Sequence, residues 1–238
     1  MLHPISDRSL ITRFGISPWS SVSSRKSDAV YRYLEEQIII GALKPGDAIA
    51  EQTVADACNC AQGTVREALL KLQQSGLVVR HDYKNTRVAG ISRAEAVEIV
   101  KIRMQLEETA GRIIASNISG ETRDQLFEIL DAMCQAADNN EVFLCSAYDR
   151  LFHDTLFKQA NLRGLEPILQ RCTLHMHRVT LAHRGVPLDS AEVYQQHVKI
   201  IETHCNGSPE EAASAAHAHV SFLFNLWVSK HCFESISG

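Results

Sequence analysis

Proline and glycine are scarce, 6 and 12 in 238 residues, too few for the closely spaced turns of an all-β chain. Long apolar runs are missing too. No stretch approaches the roughly 18 consecutive apolar residues of a membrane span. The opening segment, MLHPISDRSLITRFGISPWSSVSSRK, lacks the apolar centre and small-residue cleavage site of a secretion signal. A soluble cytoplasmic protein without membrane contact is the expectation. The 7 cysteines are odd in number and scattered. Only Cys58 and Cys60 lie close together, with no second pair to complete a zinc site, so free thiols in a reducing compartment are expected. A strong basic surplus is also lacking, since the net charge is −4.

That charge is uneven. Residues 1–90 carry 11 Lys and Arg against 9 Asp and Glu, and the remainder 13 against 19, which leaves the front mildly basic and permissive for nucleic acid. The first 26 residues are Ser-rich and aperiodic, and read as a flexible arm. Over 27–40 the apolar positions Val30, Tyr31, Leu34, Ile38 and Ile39 recur at helical spacing. Gly41, Pro45 and Gly46 break that helix. Short helices follow over 51–58 and 62–75, the second with Val65, Ala68, Leu69 and Leu72 facing inward and Gly76 ending it. Leu77–Val79 and Thr86–Val88 read as two short strands joined at 81–85. Three helices and a hairpin over 27–88 make a winged helix-turn-helix, whose last helix fits a DNA major groove with its N-terminal residues at base edges.

After the joint 89–91, helix-forming patterns fill 92–232. Ser92 and Glu95 form a capping box for a helix to about 116, with apolar Val97, Val100, Ile102, Leu106, Ala110 and Ile113. Helices follow over about 121–137, 141–160, 164–183, 190–205 and 209–229. The separators carry turn chemistry: Ser119-Gly120, Asn139-Asn140, Asn161, Gly185-Val186-Pro187, and Asn206 to Pro209, where Ser208 caps and Pro209 takes the first helical position. The fold class is therefore mainly α: a winged helix-turn-helix followed by an antiparallel bundle of six helices. Chemistry in the bundle centres on histidine. Asp149 and His153 stand four apart, on one helix face. His197 and His219 flank the loop near 207 at similar distances, so antiparallel helices bring them to one height. Together the four would form a divalent-metal site with three nitrogens and one oxygen. Because the chain has 11 histidines, the spacing alone leaves core or surface histidines as the alternative. His175, His177, His183, His204 and His217 read as ordinary helix residues.

The front segment resembles a known family. Gly41-Ala42-Leu43-Lys44-Pro45-Gly46-Asp47, Glu51-Gln52-Thr53-Val54-Ala55, Val65-Arg66-Glu67-Ala68-Leu69 and Gly76-Leu77-Val78 are similar, in order, to the GntR family of transcriptional regulators. One departure stands at the reading edge, where Ala61-Gln62-Gly63-Thr64 replaces the usual Ser-Arg-Thr-Pro. Ala61 cannot cap through a side-chain oxygen, a loss of about 1 kcal/mol. Gln62 exchanges a cation for an amide suited to adenine. The resemblance implies DNA contacts from Gln52, Gln62, Gly63, Thr64 and Arg66, and from His81 and Lys84 in the wing. A surface ion pair with Glu67 or Asp56 is the alternative for Arg66. The Asp149/His153 pair with His197 and His219 looks like the metal set of the FCD effector domain, as in the FadR subfamily and its shorter, VanR-like members. That implies a divalent metal, Zn²⁺ first with Ni²⁺ or Mn²⁺ as alternatives. It also implies a small organic-acid effector, with Arg103 as partner for its carboxylate unless Arg103 bridges to Glu107.

The expected function is a DNA-binding transcriptional regulator, a repressor, bound as a homodimer to an inverted-repeat operator and modulated by that effector. It is not expected to be an enzyme. A metal-dependent hydrolase or isomerase using Asp149 and the three histidines is the rival, and a purely structural metal a third possibility.

Overall fold

Residues 26–80, 85–182 and 188–229 are described in the computed structural model of the chain. They form nine helices and a hairpin in the order α1 (Lys26–Ile39), α2 (Glu51–Ala57), α3 (Gln62–Gln74), β1 (Val78–Arg80), β2 (Thr86–Val88), α4 (Arg93–Ile114), α5 (Gly120–Asp138), α6 (Val142–Lys158), α7 (Glu166–Ala182), α8 (Ser190–Asn206) and α9 (Pro209–Ser229). His81 and Lys84, His183 with the separator at 185–187, and the N-terminal arm as far as residue 25 lie outside the described residues. The chain divides into two compact units. One comprises residues 104–170 and 188–219. The other holds the winged helix-turn-helix with the first part of α4, residues 171–182 of α7 and residues 220–229 of α9.

In the second unit the apolar stripe of α1 (Val30, Leu34, Ile38) is buried together with Val65, Leu69 and Leu72 of α3, and α1 and α2 both pack on α3. Gly41 and Gly46 adopt positive φ, 75° and 88°, as the break between α1 and α2 requires. The Gly46 N–H donates to Val88 O at 2.9 Å, and the Val88 N–H to Asp47 O at 2.9 Å, which stitches this turn to the antiparallel hairpin, where Val78 pairs with Val88 and Arg80 with Thr86. Ala61 stands at the N-cap of α3 with no side-chain cap bond, as its methyl dictates. The recognition helix ends at Gly76, φ 78°. The positive φ favours glycine there, and a Cβ would lie 2.6 Å from Arg171 Nη2 and 3.1 Å from His175 Nε2, so the end of the Arg171 side chain would have to shift. His175 Nε2 lies 3.1 Å from Ser75 O, and Arg178 donates to Ala89 O. These bonds fasten the later part of α7 to the end of the reading module.

In the first unit α5 packs on α6 and α8 around Leu126, Ile129, Leu130, Phe152, Phe157 and Ile200, each 2% exposed or less. Helix starts carry the local chemistry that ends backbone N–H groups. Ser119 Oγ accepts from the Thr122 N–H at 3.1 Å. Asp189 accepts from Ala191 and Glu192. Ser208 and Glu211 form a reciprocal box, with the Ser208 N–H donating to Glu211 Oε2 at 2.7 Å. Left-handed Asn140 and Asn161, both φ 55°, end α5 and follow α6, as their tolerance of that region allows. At Gly111 an added Cβ would sit 3.2 Å from backbone atoms of Ala212 and Ala213. Glycine and alanine here let α4 and α9 approach closely.

The inward face of α4 corrects the expectation from its apolar residues. Ile102 and Ile113 are 44% and 47% exposed. The buried stripe runs through Ala96, Val100, Arg103, Glu107, Ala110 and Ile114, spaced three and four apart. Two of these six are charged, so a pattern drawn through apolar residues alone keeps Val100 and Ala110, misses Arg103 and Glu107, and adds Ile102 and Ile113 from the exposed side.

Candidate metal centre and DNA-reading edge

Helix α6 is buried on nearly every side, through Leu144, Cys145, Ala147, Tyr148, Leu151, Phe152, Leu156 and Phe157. Within that apolar run stand Asp149 and His153, 6% and 2% exposed. His197 of α8 and His219 of α9 complete the set at 4% and 3%. One ligating atom from each of the four lies within 4.8 Å of all the others. Asp149 Oδ1 is 2.9 Å from His197 Nε2 and Oδ2 3.8 Å from His153 Nε2, while His153 Nε2 and His219 Nε2 face each other at 3.1 Å. Phe152 meets the rings of His153 and His197 edge-on, at centroid distances of 5.4 and 5.0 Å, and limits their rotation.

The outer partners decide which atoms these rings offer. His153 Nδ1 lies 2.9 Å from Glu107 Oε2, and His197 Nδ1 lies 2.8 Å from Val193 O. The Val193 carbonyl accepts from His197 Nδ1, which leaves the His197 lone pair on Nε2. At His153 the Glu107 carboxylate makes a close charge contact without an aligned hydrogen bond, and its charge favours the proton on Nδ1. Both Nε2 lone pairs then point into a pocket that also holds the Asp149 carboxylate. Acceptors gathered this closely in a buried space repel unless a proton or cation lies among them. Their separations are those of atoms that share one ion at roughly 2.0–2.2 Å. The residues fit a divalent cation. Three imidazoles and a carboxylate suit zinc and also other first-row ions.

Other histidines have different roles. His204 is 1% exposed, with Nδ1 2.8 Å from Ile200 O, and burial pushes its pKa down. At His175, burial first and the Arg178 charge second lower the pKa to about 4, against a smaller opposing effect of Ser75 O. His217 pairs with Glu108 at 2.6 Å on the surface. The Cys58 thiol is pushed up by burial and by neighbouring Cys60. The cysteines at 58, 60, 134, 145, 172 and 205 form no disulfide. Arg103 is completely buried in the second unit, with Nη1 3.5 Å from Met176 Sδ.

On the reading module, Gln52, Gln62, Gly63 and Arg66 are exposed and Thr64 is half-buried. A Cβ at Gly63 would meet nothing within 4 Å, so the fold itself does not require glycine there. Arg66 does form a surface ion pair, but with Glu51, at 2.7 Å, rather than with Glu67 or Asp56. Glu51 also receives Arg80 at 3.4 Å. Glu107 and Arg80 were absent from the sequence-derived site. The signal for Glu107 was an acid in register with the inward-facing positions of α4. For Arg80 no local pattern pointed to Glu51.

A winged helix-turn-helix with a polar leading edge, joined to a helical domain enclosing an Asp/His₃ cluster, defines a DNA-binding regulator with a sensing domain. Residues 26–88 match the bacterial regulatory proteins of the gntR family, and residues 98–222 match the FCD domain. The chain belongs to the GntR family of transcriptional regulators, in the branch that carries an FCD effector domain. It is 27% identical over 190 residues to the probable D-xylose utilization operon transcriptional repressor of Paenarthrobacter nicotinovorans, covering 79% of this chain and 83% of the relative. It is likewise 27% identical over 193 residues to the gluconate operon transcriptional repressor of Bacillus subtilis strain 168, covering 76% and 78%. The solved structure of Escherichia coli McbR/YncC shares the fold at a TM-score of 0.73 and 20% identity, over 88% of this chain and all of that one. The family consists of DNA-binding regulators, which gives the hydrolase alternative no support. FCD domains often bind metals, and among the described residues no helix is long and apolar enough to cross a membrane.

Proposed function

We propose that the protein is a cytoplasmic repressor that binds an inverted-repeat operator as a homodimer and changes its DNA affinity when a small organic acid occupies the sensing domain. The division into a 1–26 arm, a reading domain over 27–88, a joint at 89–91 and a sensing domain over 92–232 belongs to this reading. The observation that carries the sensing half is the buried convergence of Asp149, His153, His197 and His219. These four would hold the metal, with Zn²⁺ as the first assignment and Ni²⁺ or Mn²⁺ as alternatives. A divalent ion with three or four protein ligands keeps positions open for a carboxylate. Val193 O holds His197 in the tautomer that presents Nε2, and the charge of Glu107 favours the same tautomer at His153. Arg103 is the proposed partner of the effector's carboxylate, whose geometry a guanidinium matches through paired hydrogen bonds.

On the DNA side, Gln62, Gly63, Thr64 and Arg66 at the start of α3 face the major groove, supported by Gln52, with His81 and Lys84 of the wing on the backbone or minor groove. The open space at Gly63 supports close approach of DNA. The names of the two relatives support a negative regulatory sign, and the two-fold symmetry of such operators supports a dimer. The test titrates zinc-loaded and chelator-treated protein against DNA selected from a random pool, with and without a panel of organic acids. Salt-dependent preference for an inverted repeat, weakened by one acid only in the metal-loaded form, is expected. Binding no tighter to selected than to random DNA at physiological salt would overturn the proposal.

A further inference from the structure

The reading edge carries a chain of hydrogen bonds with a direction built into it. Gln52 Nε2 donates to Asp56 Oδ1 at 2.7 Å, one turn along α2. Gln62 Nε2, at the first position of α3, donates to Gln52 Oε1. An amide's oxygen and nitrogen are easily interchanged, but here chemistry settles both. The Asp56 carboxylate only accepts, so Gln52 must turn its NH₂ toward it. That leaves the Gln52 oxygen for Gln62, which must answer with its own NH₂. The formal charge on Asp56 therefore orients an amide two residues removed from it in the relay. All three side chains are exposed on the outer side of α2 and α3.

Gln62 is left with one uncommitted N–H and its Oε1 acceptor, side by side. Adenine presents the complement in the major groove, the N7 acceptor beside the N6 donor. Guanine presents two acceptors, N7 and O6, and would meet the Gln62 oxygen unfavourably. A glutamine free to flip its amide has only rotamer preference to oppose wrong partners, whereas this one is held in the adenine-reading orientation before DNA arrives. The arrangement has a cost. Asp56 brings a negative charge to a surface that must approach phosphates, which weakens binding to any DNA.

We propose that Asp56 and Gln52 are positioning residues that preset Gln62 to read an A·T pair, trading general DNA affinity for base discrimination. The inference rests on the placing of Gln62 at the DNA under the proposed function. The test uses the full-length protein and a half-site defined by selection from random DNA, followed by anisotropy titrations against all four base pairs at each half-site position. The wild type should prefer A·T over G·C at one position by roughly tenfold or more, as one bidentate contact allows, and Gln62→Ala should flatten that position alone. Asp56→Ala should reduce the preference several-fold while tightening binding to random DNA, an opposed pair of changes that loss of folding cannot produce. Gln62→Arg should turn the same position toward G·C. Selection of G·C by the wild type at the position Gln62→Ala affects would overturn the relay. So would an Asp56→Ala variant with wild-type discrimination. Failure to select any sequence would instead overturn the regulator reading on which it rests.

Discussion

Replacing Glu107 tests the metal centre through a residue that does not touch the metal. Its Oε2 lies 2.9 Å from His153 Nδ1, with side-chain exposures of 7% and 1%. Glu107→Ala removes the carboxylate whose nearby charge favours the His153 proton on Nδ1 and so the lone pair on Nε2. Outer partners of this kind are worth roughly 10- to 100-fold in metal affinity, and a loss within that range is expected. Glu107→Gln removes the charge but keeps a carbonyl dipole able to turn toward Nδ1, so its loss should be smaller, below about tenfold. The assay is competition for Zn²⁺ between stripped protein and a chromophoric chelator at fixed pH. Circular dichroism on each variant reports the fold, and His153→Ala marks the affinity of a site that has lost a ligand. The expected order is wild type, Glu107→Gln, Glu107→Ala, His153→Ala, tightest first. Wild-type affinity in Glu107→Ala would refute the tautomer argument, and equal affinity in all four would refute the metal site.

Three further outcomes rest on other parts of the chain. His175 takes up its proton near pH 4 when folded and near 6.5 when unfolded, so between these values the unfolded chain binds more protons and stability falls as pH falls; from pH 7 to 5 this group should remove about 2 kcal/mol. His175→Gln, which keeps a donor for Ser75 O, should show a shallower decline in chemical-denaturation midpoints over that range, and an unchanged slope would count against the buried neutral imidazole. Ser119→Ala, deleting the cap that accepts from the Thr122 N–H, should cost about 1 kcal/mol in urea unfolding, and no change would mean that water replaces the cap. Gly76→Ala places a Cβ at φ 78° and against Arg171, so it should lower the melting temperature by an amount corresponding to about 1–2 kcal/mol; a neutral result would mean that the turn relaxes.

Much of the fold was legible along the chain because the relevant forces act within a few residues. Helical spacing in α1 and α3, glycines 41, 46 and 76 at positive φ, and the Ser92, Ser119 and Ser208 starts are all local effects, and each lies where the residues put it. The candidate ligands were partly legible: Asp149 and His153 share a face by helical geometry, while His197 and His219 needed an assumed antiparallel pair. The buried face of α4 was legible only in part, at Val100 and Ala110. Hydrophobic pattern assumes that burial selects apolar residues, and Arg103 and Glu107 break that assumption.

By itself the sequence determined the helix order, the winged reading module, the uncapped Ala61 start of the recognition helix and four ligand-type residues at compatible heights. Only the tertiary structure decided that Glu107 meets His153, that His175 holds Ser75 O, that Glu51 gathers Arg66 and Arg80, and that Gln62 leans on Gln52. The reason is common to all four. A charged or polar side chain can be buried or oriented only by a partner that satisfies it, and those partners come from other elements of the fold. Local propensity places each backbone segment, whereas the pairing of polar groups emerges only when the segments pack.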